Sequence, residues 1–115
     1  MTENDTSSAT ATILDRLHAR IEASRDGDPA KSYTAKLFAR GRSKIAQKLG
    51  EEAVEAVIEL LREDKPALIG ESADLLYHLI ACWVAAGIQP DEVWAELKRR
   101  EGVGGLVEKA SRRNN

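Results

Sequence analysis

The sequence has 115 residues, 43% of them hydrophobic and 31% charged, which is the composition of a soluble single domain rather than of a membrane or disordered protein. Seventeen Lys and Arg against nineteen Asp and Glu leave a net charge of −2, and only 4% of residues are aromatic, so we expect no nucleic-acid partner. The one cysteine, Cys82, excludes an internal disulfide, and residues 1–12 show no secretion signal, so we expect a cytoplasmic location.

Apolar residues recur at spacings of three and four along the chain, and no stretch shows the alternating pattern of a strand, so we predict an all-α fold. Residues 1–11 are rich in Thr, Ser, Asn and Asp and are predicted to form a flexible tail. Residues 102–115 are predicted to form a glycine hinge and a polar tail. Between them, residues 12–101 are predicted to form a bundle of about five helices, at about 12–24, 32–40, 43–63, 67–86 and from 90 onward.

Residues with strong positional preferences set these helix boundaries. Ser32 and Ser43 are predicted N-caps, because a serine hydroxyl accepts hydrogen bonds from the free N–H groups of a first turn. Gly41 and Gly87 are predicted to end helices, and Pro90 suits the first turn of the helix that it begins.

The helix predicted at residues 67–86 is apolar over more than half of its circumference. A helix with so wide an apolar face needs more than one packing partner, and the rest of this short chain offers few. We therefore expect a homodimer whose core is built partly from this helix. The alternative is a buried central helix in a monomeric bundle. The apolar positions are Leu68, Ile69, Leu75, Leu76, Leu79, Ile80, Trp83 and Val84.

Two acidic clusters occupy the two longest predicted helices. On the first, Glu52 and Glu55 are three residues apart and share a face, beside Glu51. On the second, Glu71 and Asp74 share a face in the same way. The loop near Pro66 folds these helices antiparallel, so four or five carboxylates are expected to converge between them. The alternative is that both clusters are ordinary solvated helix faces.

A pocket of carboxylates is tolerable when a cation neutralises it. Ligands that are all oxygen favour Mg²⁺ or Mn²⁺ over zinc, and a di-iron bundle requires Glu-x-x-His pairs that both helices lack. His78 is predicted to support the site or the core rather than to bind metal. Because Mg²⁺ held by few protein groups binds substrate phosphates, the chemistry predicted is hydrolysis of a phosphoanhydride.

Basic residues near the acidic clusters suit a phosphorylated substrate. Lys44 and Lys48 lie one turn apart, before the first cluster and near the start of its helix, where the helix dipole also favours anions. The alternative for both is ordinary ion pairing with Glu51 and Glu52. Glycine-rich phosphate loops of the Walker type are absent, and Cys82 is predicted to be an inert core residue. Weaker candidates for substrate contact are Lys36, Arg40, Lys109 and Arg112.

The order of these motifs resembles the MazG-like superfamily of all-α nucleotide pyrophosphohydrolases. Three segments, Ser32–Leu37, Lys44–Glu55 and Gly70–Leu79, are similar to those of its phosphoribosyl-ATP pyrophosphatase branch. Arg99–Gly102 and Glu108–Arg112 extend the resemblance, which covers roughly residues 13–112. The resemblance implies a MazG-like helical bundle, which the homodimer predicted from the apolar helix would complete.

The resemblance also implies a Mg²⁺-dependent hydrolysis of phosphoribosyl-ATP to phosphoribosyl-AMP and pyrophosphate, the second step of histidine biosynthesis. Among the acidic residues, Glu52, Glu55, Glu71 and Asp74 would be metal ligands, with Glu51 assisting by orienting water. Lys44 and Lys48 would bind phosphates. Further substrate contacts carried over by motif are Ser32, Tyr33, Thr34, Lys36, Lys109 and Arg112.

Two rival functions stay open on the sequence alone. One is a house-cleaning nucleotide pyrophosphatase that acts on aberrant nucleoside triphosphates. The other, from a different class, is a non-catalytic helical dimer that binds a cation or a partner helix. In the histidine pathway that the resemblance implies, the next enzyme is a phosphoribosyl-AMP cyclohydrolase. A chain of 115 residues leaves no room for it as a fused domain, so we expect it to be a separate chain.

Overall fold

The structure, a computed structural model, describes residues 9–113, apart from the side chains of Glu108 and Arg113. Within these residues the chain forms six helices and no strand, which confirms the predicted all-α fold. Most of the predicted N-terminal tail, residues 1–11, lies outside the described residues. The helices are α1 (Ile13–Ser24), α2 (Tyr33–Ala39), α3 (Arg42–Leu61), α4 (Lys65–Ala86), α5 (Pro90–Glu101) and α6 (Gly105–Arg113).

The predicted N-cap of α2 and the predicted end of α4 are confirmed, and the predicted N-cap of α3 is wrong. Ser32 caps α2, because its Oγ accepts a hydrogen bond from the Ala35 N–H at 3.1 Å. Gly87 follows α4 with a φ of 76°, in the left-handed region that glycine adopts without steric cost. Ser43 does not cap α3 but lies inside it. The helix begins directly after Gly41, whose φ of 93° turns the chain out of α2.

The two long helices form an antiparallel pair that carries both acidic clusters. α4 begins at Lys65, two residues earlier than predicted, because Asp64 Oδ1 accepts a hydrogen bond from the Ala67 N–H at 3.0 Å and Pro66 fits the first turn. The short link before it, in which Glu63 has a φ of 59°, reverses the chain direction. α3 and α4 then make the most extensive contact between any two described helices.

The hydrophobic core lies between the first four helices. His18 of α1 is buried with it, and its Nε2 is 2.9 Å from the Ile88 carbonyl oxygen, which ties α1 to the segment after α4. α5 is fixed through Trp94, whose indole N–H donates to Asp15 Oδ1 at 3.2 Å and whose ring lies edge-on to Trp83. The buried apolar side chains are Ile21, Leu37, Ile45, Ile80, Ala81 and Val84.

Apolar side chains on the outer side of α3 are left uncovered within one chain. They recur three and four residues apart, as on one face of a helix, and each is between 44% and 76% exposed. On α4, Ile69 and Leu76 are also exposed, so a single chain does not bury the whole apolar surface of that helix. α4 is the one described helix long and apolar enough to cross a membrane, a test that core helices of soluble proteins also pass. The α3 stripe, as we call it, comprises Val54, Val57, Ile58 and Leu61.

The C-terminal segment differs from the sequence-based expectation. Gly102 ends α5, which agrees with the predicted break at this point. Residues 105–113 then form the helix α6, where a polar tail was predicted. Leu106, Val107 and Ala110 are spaced so that they share one side of this helix. α6 packs only weakly on the other described helices, and Leu106 is 86% exposed.

Replacement of Asp64 by alanine is expected to destabilise the fold by about 1 kcal/mol, because the first turn of α4 then loses its side-chain acceptor. Chemical denaturation of the two proteins measures this difference. Asp64→Asn is the matched control, since it keeps an oxygen at the same position, and it is expected to retain nearly all of the stability. Equal losses in the two variants would show that the charge of Asp64, rather than its cap, stabilises α4.

Candidate metal centre

Three carboxylates meet between α3 and α4. Glu52 and Glu55 lie three residues apart on α3, and Glu71 faces them from α4, so that one oxygen of each lies within 4.8 Å of the other two. Glu52 is buried, Glu71 is partly buried and Glu55 is exposed at the solvent edge. We call these three side chains the carboxylate centre. The structure thus brings together three of the four residues predicted to bind metal, and their role as ligands stays a prediction.

The crowding of negative charge acts most strongly on Glu71. Its pKa is raised from 4.5 to about 7, first because the carboxylate is partly withdrawn from water and then because of the charge and a hydrogen bond of Glu55. The charges of Glu52 and Asp74 act in the same direction. Glu71 Oε1 is buried and has no hydrogen-bond partner among the described residues. A buried carboxylate oxygen without a partner is costly, so this position favours an added positive charge.

The donor atoms of the carboxylate centre suit a hard divalent cation. The described group contains carboxylate oxygens and neither histidine nor cysteine. Mg²⁺ and Mn²⁺ prefer such oxygen ligands, whereas zinc prefers nitrogen and sulfur. A cation at this place would offset the repulsion among the three side chains and contact the unpartnered oxygen of Glu71. The residues present therefore fit the predicted metal.

Two further acidic residues lie outside the carboxylate centre. Asp74 is exposed, although its charge contributes, after the larger effects of burial and of Glu55, to the raised pKa of Glu71. Glu51 accepts a hydrogen bond from Gln47 Nε2 at 2.7 Å and lies 3.4 Å from Lys48 Nζ. These two contacts, with Gln47 the larger, lower the pKa of Glu51. The predicted roles of Asp74 and Glu51 thus rest on the sequence rather than on this geometry.

A basic cavity lies beside the carboxylate centre, at the N-terminal end of α3. Lys48 borders both, because its Nζ is 3.8 Å from Glu52 Oε2 while its side chain lines the cavity. Its pKa is raised, mainly by the hydrogen bond with Glu51. Lys48 therefore forms the ion pairs of the alternative interpretation and also faces the cavity. The cavity, of about 240 Å³, is lined by Tyr33, Lys36, Leu37, Arg40, Lys44 and Lys48.

Four of the predicted substrate contacts are placed away from the basic cavity. The Ser32 hydroxyl caps α2, and the Thr34 hydroxyl shares a hydrogen bond with the Tyr77 hydroxyl, so both side chains fix the position of α2. Lys109 and Arg112 lie on α6 and do not line the cavity. Of the basic residues rated as weaker candidates, Lys36 and Arg40 do line it.

One connection between the motifs was not predicted. The hydroxyl of Tyr33, on α2, lies 3.0 Å from His78 Nε2, on α4, and His78 Nδ1 lies 2.9 Å from the Asp74 carbonyl oxygen. His78 is 5% exposed and is not part of the carboxylate centre, in line with its predicted supporting role. The sequence contained one signal for this contact, namely that both residues fall within the segments that carry the family resemblance.

A helical bundle that places a carboxylate centre against a basic cavity has the arrangement expected of an all-α nucleotide pyrophosphohydrolase. The family model described as phosphoribosyl-ATP pyrophosphohydrolase matches residues 14–101, which include both the carboxylate centre and the basic cavity. The chain belongs to the phosphoribosyl-ATP pyrophosphohydrolase family. The resemblance drawn from the sequence is therefore confirmed.

Relatives with the name phosphoribosyl-ATP pyrophosphatase are similar over most of the chain. The protein of Azospirillum brasilense is 57% identical over 104 residues, which cover 90% of this chain and 94% of the relative. That of Paramagnetospirillum magneticum is 59% identical over 100 residues, which cover 87% of this chain and 92% of the relative. That of Gluconobacter oxydans is 57% identical over 100 residues, which cover 87% of this chain and 75% of the relative. Similarity at this level places the chain within the phosphoribosyl-ATP branch of the superfamily.

Replacement of Glu71 by glutamine is expected to raise the thermal midpoint of the metal-free protein at neutral pH. Because the pKa of Glu71 rises from 4.5 to about 7, the folded protein binds more protons than the unfolded chain between these values. Its stability therefore falls as pH rises through this range, and the glutamine variant loses this part of the pH dependence. Thermal unfolding in excess chelator at pH 5 and pH 7.5 measures both effects.

The matched control is Glu22→Gln, which removes one negative charge from an exposed position on α1. It is expected to leave the pH dependence of the thermal midpoint unchanged. Glu55→Gln is expected to stabilise the metal-free protein in the same direction as Glu71→Gln. If the thermal midpoint of Glu71→Gln or of Glu55→Gln lay below that of the parent protein at pH 7.5, the replaced side chain would have a stabilising partner instead of a repulsive one.

Proposed function

We propose that this chain hydrolyses phosphoribosyl-ATP to phosphoribosyl-AMP and pyrophosphate, the second step of histidine biosynthesis. The observation that carries the proposal is a carboxylate centre set against a basic cavity, in a chain whose relatives have the name phosphoribosyl-ATP pyrophosphatase. The reaction cleaves the anhydride between the α and β phosphates. A cytoplasmic location, with the single cysteine kept reduced, and a separate cyclohydrolase as the next enzyme complete the proposal.

Mg²⁺ is the proposed metal, with Mn²⁺ as its alternative. Glu52, Glu55 and Glu71 would hold it, and Asp74, an exposed residue outside the carboxylate centre, is a further candidate ligand. When bound, such a metal clamps phosphate oxygens and activates water for attack on phosphorus. The oxygen-only donor set and the unpartnered Glu71 Oε1 support this assignment.

The basic cavity supplies the charges that hold the polyphosphate. Four cationic side chains line one small space, and phosphate oxygens are the anions that such a space accepts. Lys48 lies where the cavity meets Glu52, so a phosphate on Lys48 is brought next to the carboxylate centre. Fixed positive charges there also stabilise the negative charge that develops on the departing pyrophosphate. Glu51, paired with Lys48, is proposed to orient the attacking water.

Hydrolysis of phosphoribosyl-ATP is expected to require Mg²⁺ and to fall at least about 100-fold in Glu52→Gln, because this variant removes the most buried carboxylate of the centre. Release of pyrophosphate measures the rate. Asp74→Asn is expected to lose activity in the same assay. Glu22→Gln, on the exposed side of α1, is the matched control and is expected to keep the parent rate.

A panel of ordinary and aberrant nucleoside triphosphates separates the proposed reaction from its rival within the enzyme class. The value of kcat/KM is expected to be highest for phosphoribosyl-ATP. A higher value for any nucleoside triphosphate would instead favour a house-cleaning pyrophosphatase. Full activity of Glu52→Gln, or equal rates with and without a divalent cation, would contradict the metal-dependent mechanism.

A homodimer is the proposed assembly. The α3 stripe is a continuous row of exposed apolar side chains along two turns of a long helix. Exposed apolar surfaces of this kind typically mark protein interfaces, and a second copy of the chain offers a surface of the same chemistry. The stripe lies on the opposite side of α3 from Ile45 and Glu52, which are buried, so pairing through it leaves the carboxylate centre in place.

Replacement of Val57 by lysine is expected to shift the protein from dimer to monomer, because it places a charge in the middle of the α3 stripe. Analytical ultracentrifugation measures the change, from twice the chain mass of 12.6 kDa to that mass. Leu97→Lys, at an exposed apolar position of α5, is the matched control and is expected to stay dimeric. A monomeric parent protein at micromolar concentration would contradict the proposed assembly.

A further inference from the structure

Tyr33 combines two properties that packing alone does not explain. The residue is 53% exposed and lines the basic cavity, yet its hydroxyl oxygen lies 3.0 Å from Nε2 of the buried His78. A tyrosine that served only as a core residue would bury its ring. Here the ring stays at the cavity wall, and a hydrogen bond between two helices fixes the position of its oxygen.

The backbone of α4 determines the direction of this hydrogen bond. The Asp74 carbonyl oxygen is an acceptor only, so His78 Nδ1, which lies 2.9 Å away, carries the proton that this bond requires. A neutral imidazole has one N–H, which leaves Nε2 as an acceptor. To a neutral His78 protonated at Nδ1, Tyr33 therefore donates its hydroxyl proton at Nε2. With that proton engaged, the phenolic oxygen has only lone pairs to offer to a ligand in the cavity.

A hydroxyl that can only accept distinguishes between the groups of a nucleotide. Phosphate oxygens are also acceptors, so they gain nothing from Tyr33, and the surrounding lysines and arginine serve them instead. A ribose hydroxyl is a donor, and the ribose adjoins the phosphates in the substrate chain. Among the hydrogen-bond donors of a nucleotide, the ribose hydroxyls lie nearest to the phosphates, so a ribose hydroxyl is the donor that best fits the phenolic oxygen beside a phosphate-binding cavity.

We infer that Tyr33, held by His78, accepts a hydrogen bond from a ribose hydroxyl of the nucleotide, so that it reads the sugar while the basic side chains bind the phosphates. Tyr33 is thus a specificity-determining residue, and His78 is a positioning residue that acts through it. The identity of the nucleotide rests on the proposed function. The direction of the hydrogen bonds does not, because it follows from the contacts of a neutral His78.

The two reaction products test this inference without turnover. Phosphoribosyl-AMP carries ribose hydroxyls, whereas pyrophosphate offers only phosphate oxygens. In Tyr33→Phe, the Kd of phosphoribosyl-AMP is expected to rise roughly three- to tenfold, which corresponds to one neutral hydrogen bond, while the Kd of pyrophosphate stays within about twofold. Titration calorimetry of both ligands, with Mg²⁺ present throughout, measures these constants.

Two other results would overturn the inference. If the Kd values of both products rose equally in Tyr33→Phe, Tyr33 would contact phosphate. If neither Kd changed, Tyr33 would lie outside the ligand site. If the parent protein binds both products but does not hydrolyse phosphoribosyl-ATP, the proposed function fails. The comparison of affinities still decides the role of Tyr33 in that case.

A double-mutant cycle tests the part assigned to His78. Asparagine at this position keeps a donor near Nδ1 and removes the acceptor at Nε2. His78→Asn is therefore expected to weaken the binding of phosphoribosyl-AMP to the parent protein, and to cause no further loss of affinity in Tyr33→Phe. His78→Gln, which places an amide oxygen near the position of Nε2, is expected to restore part of the affinity. Losses that multiply in the double variant would contradict the coupling. Should His78→Asn not fold, Tyr33→Phe with the two products remains decisive.

Discussion

The site depends on one constraint, namely that the packing of α3 against α4 holds the carboxylates of Glu52, Glu55 and Glu71 close together despite their mutual repulsion. These side chains meet because α3 and α4 lie antiparallel, joined by a short link and by the cap that Asp64 provides. The packing of the two helices fixes the three groups at a distance that they would not keep in water. The raised pKa of Glu71 and its unpartnered oxygen are consequences of that placement. Such a cluster fits the divalent cation that we propose it binds.

The basic cavity lies next to the carboxylate centre, near the start of α3, and its positive charges oppose the negative charges of the centre. Lys48 lies 3.8 Å from Glu52 and lines the cavity, so the negatively charged centre directly adjoins the positively charged cavity. This order matches a substrate whose polyphosphate bridges a metal and cationic side chains. Tyr33 and His78 add a neutral, directional contact to these charges. In the mechanism that we propose, charge holds the phosphates and the orientation of the Tyr33 hydroxyl selects the sugar.

Helical periodicity sufficed to predict most of the fold and part of the site. Glu52 and Glu55 share a face because they are three residues apart, and the short link brings Glu71 to them. Sequence spacing does not determine which residue of the Glu71–Asp74 pair lies closer to α3, because that depends on the rotation of α4 about its axis. The Tyr33–His78 contact joins positions 45 residues apart, and only the packing of α2 on α4 creates it. The N-cap of α3 was wrongly predicted as Ser43, because the helix begins directly after Gly41, whose positive φ of 93° separates α2 from α3.

Binding of Mn²⁺, followed by electron paramagnetic resonance at neutral pH, tests the central claim most directly, because it detects the cation without any substrate. We expect the parent protein to bind Mn²⁺ and Mg²⁺ to displace it. Affinity is expected to fall at least tenfold in Glu52→Gln and Glu71→Gln and to stay unchanged in Glu22→Gln. Equal Mn²⁺ affinity in all four proteins would contradict the account, since the cluster would then be no binding site for a divalent ion.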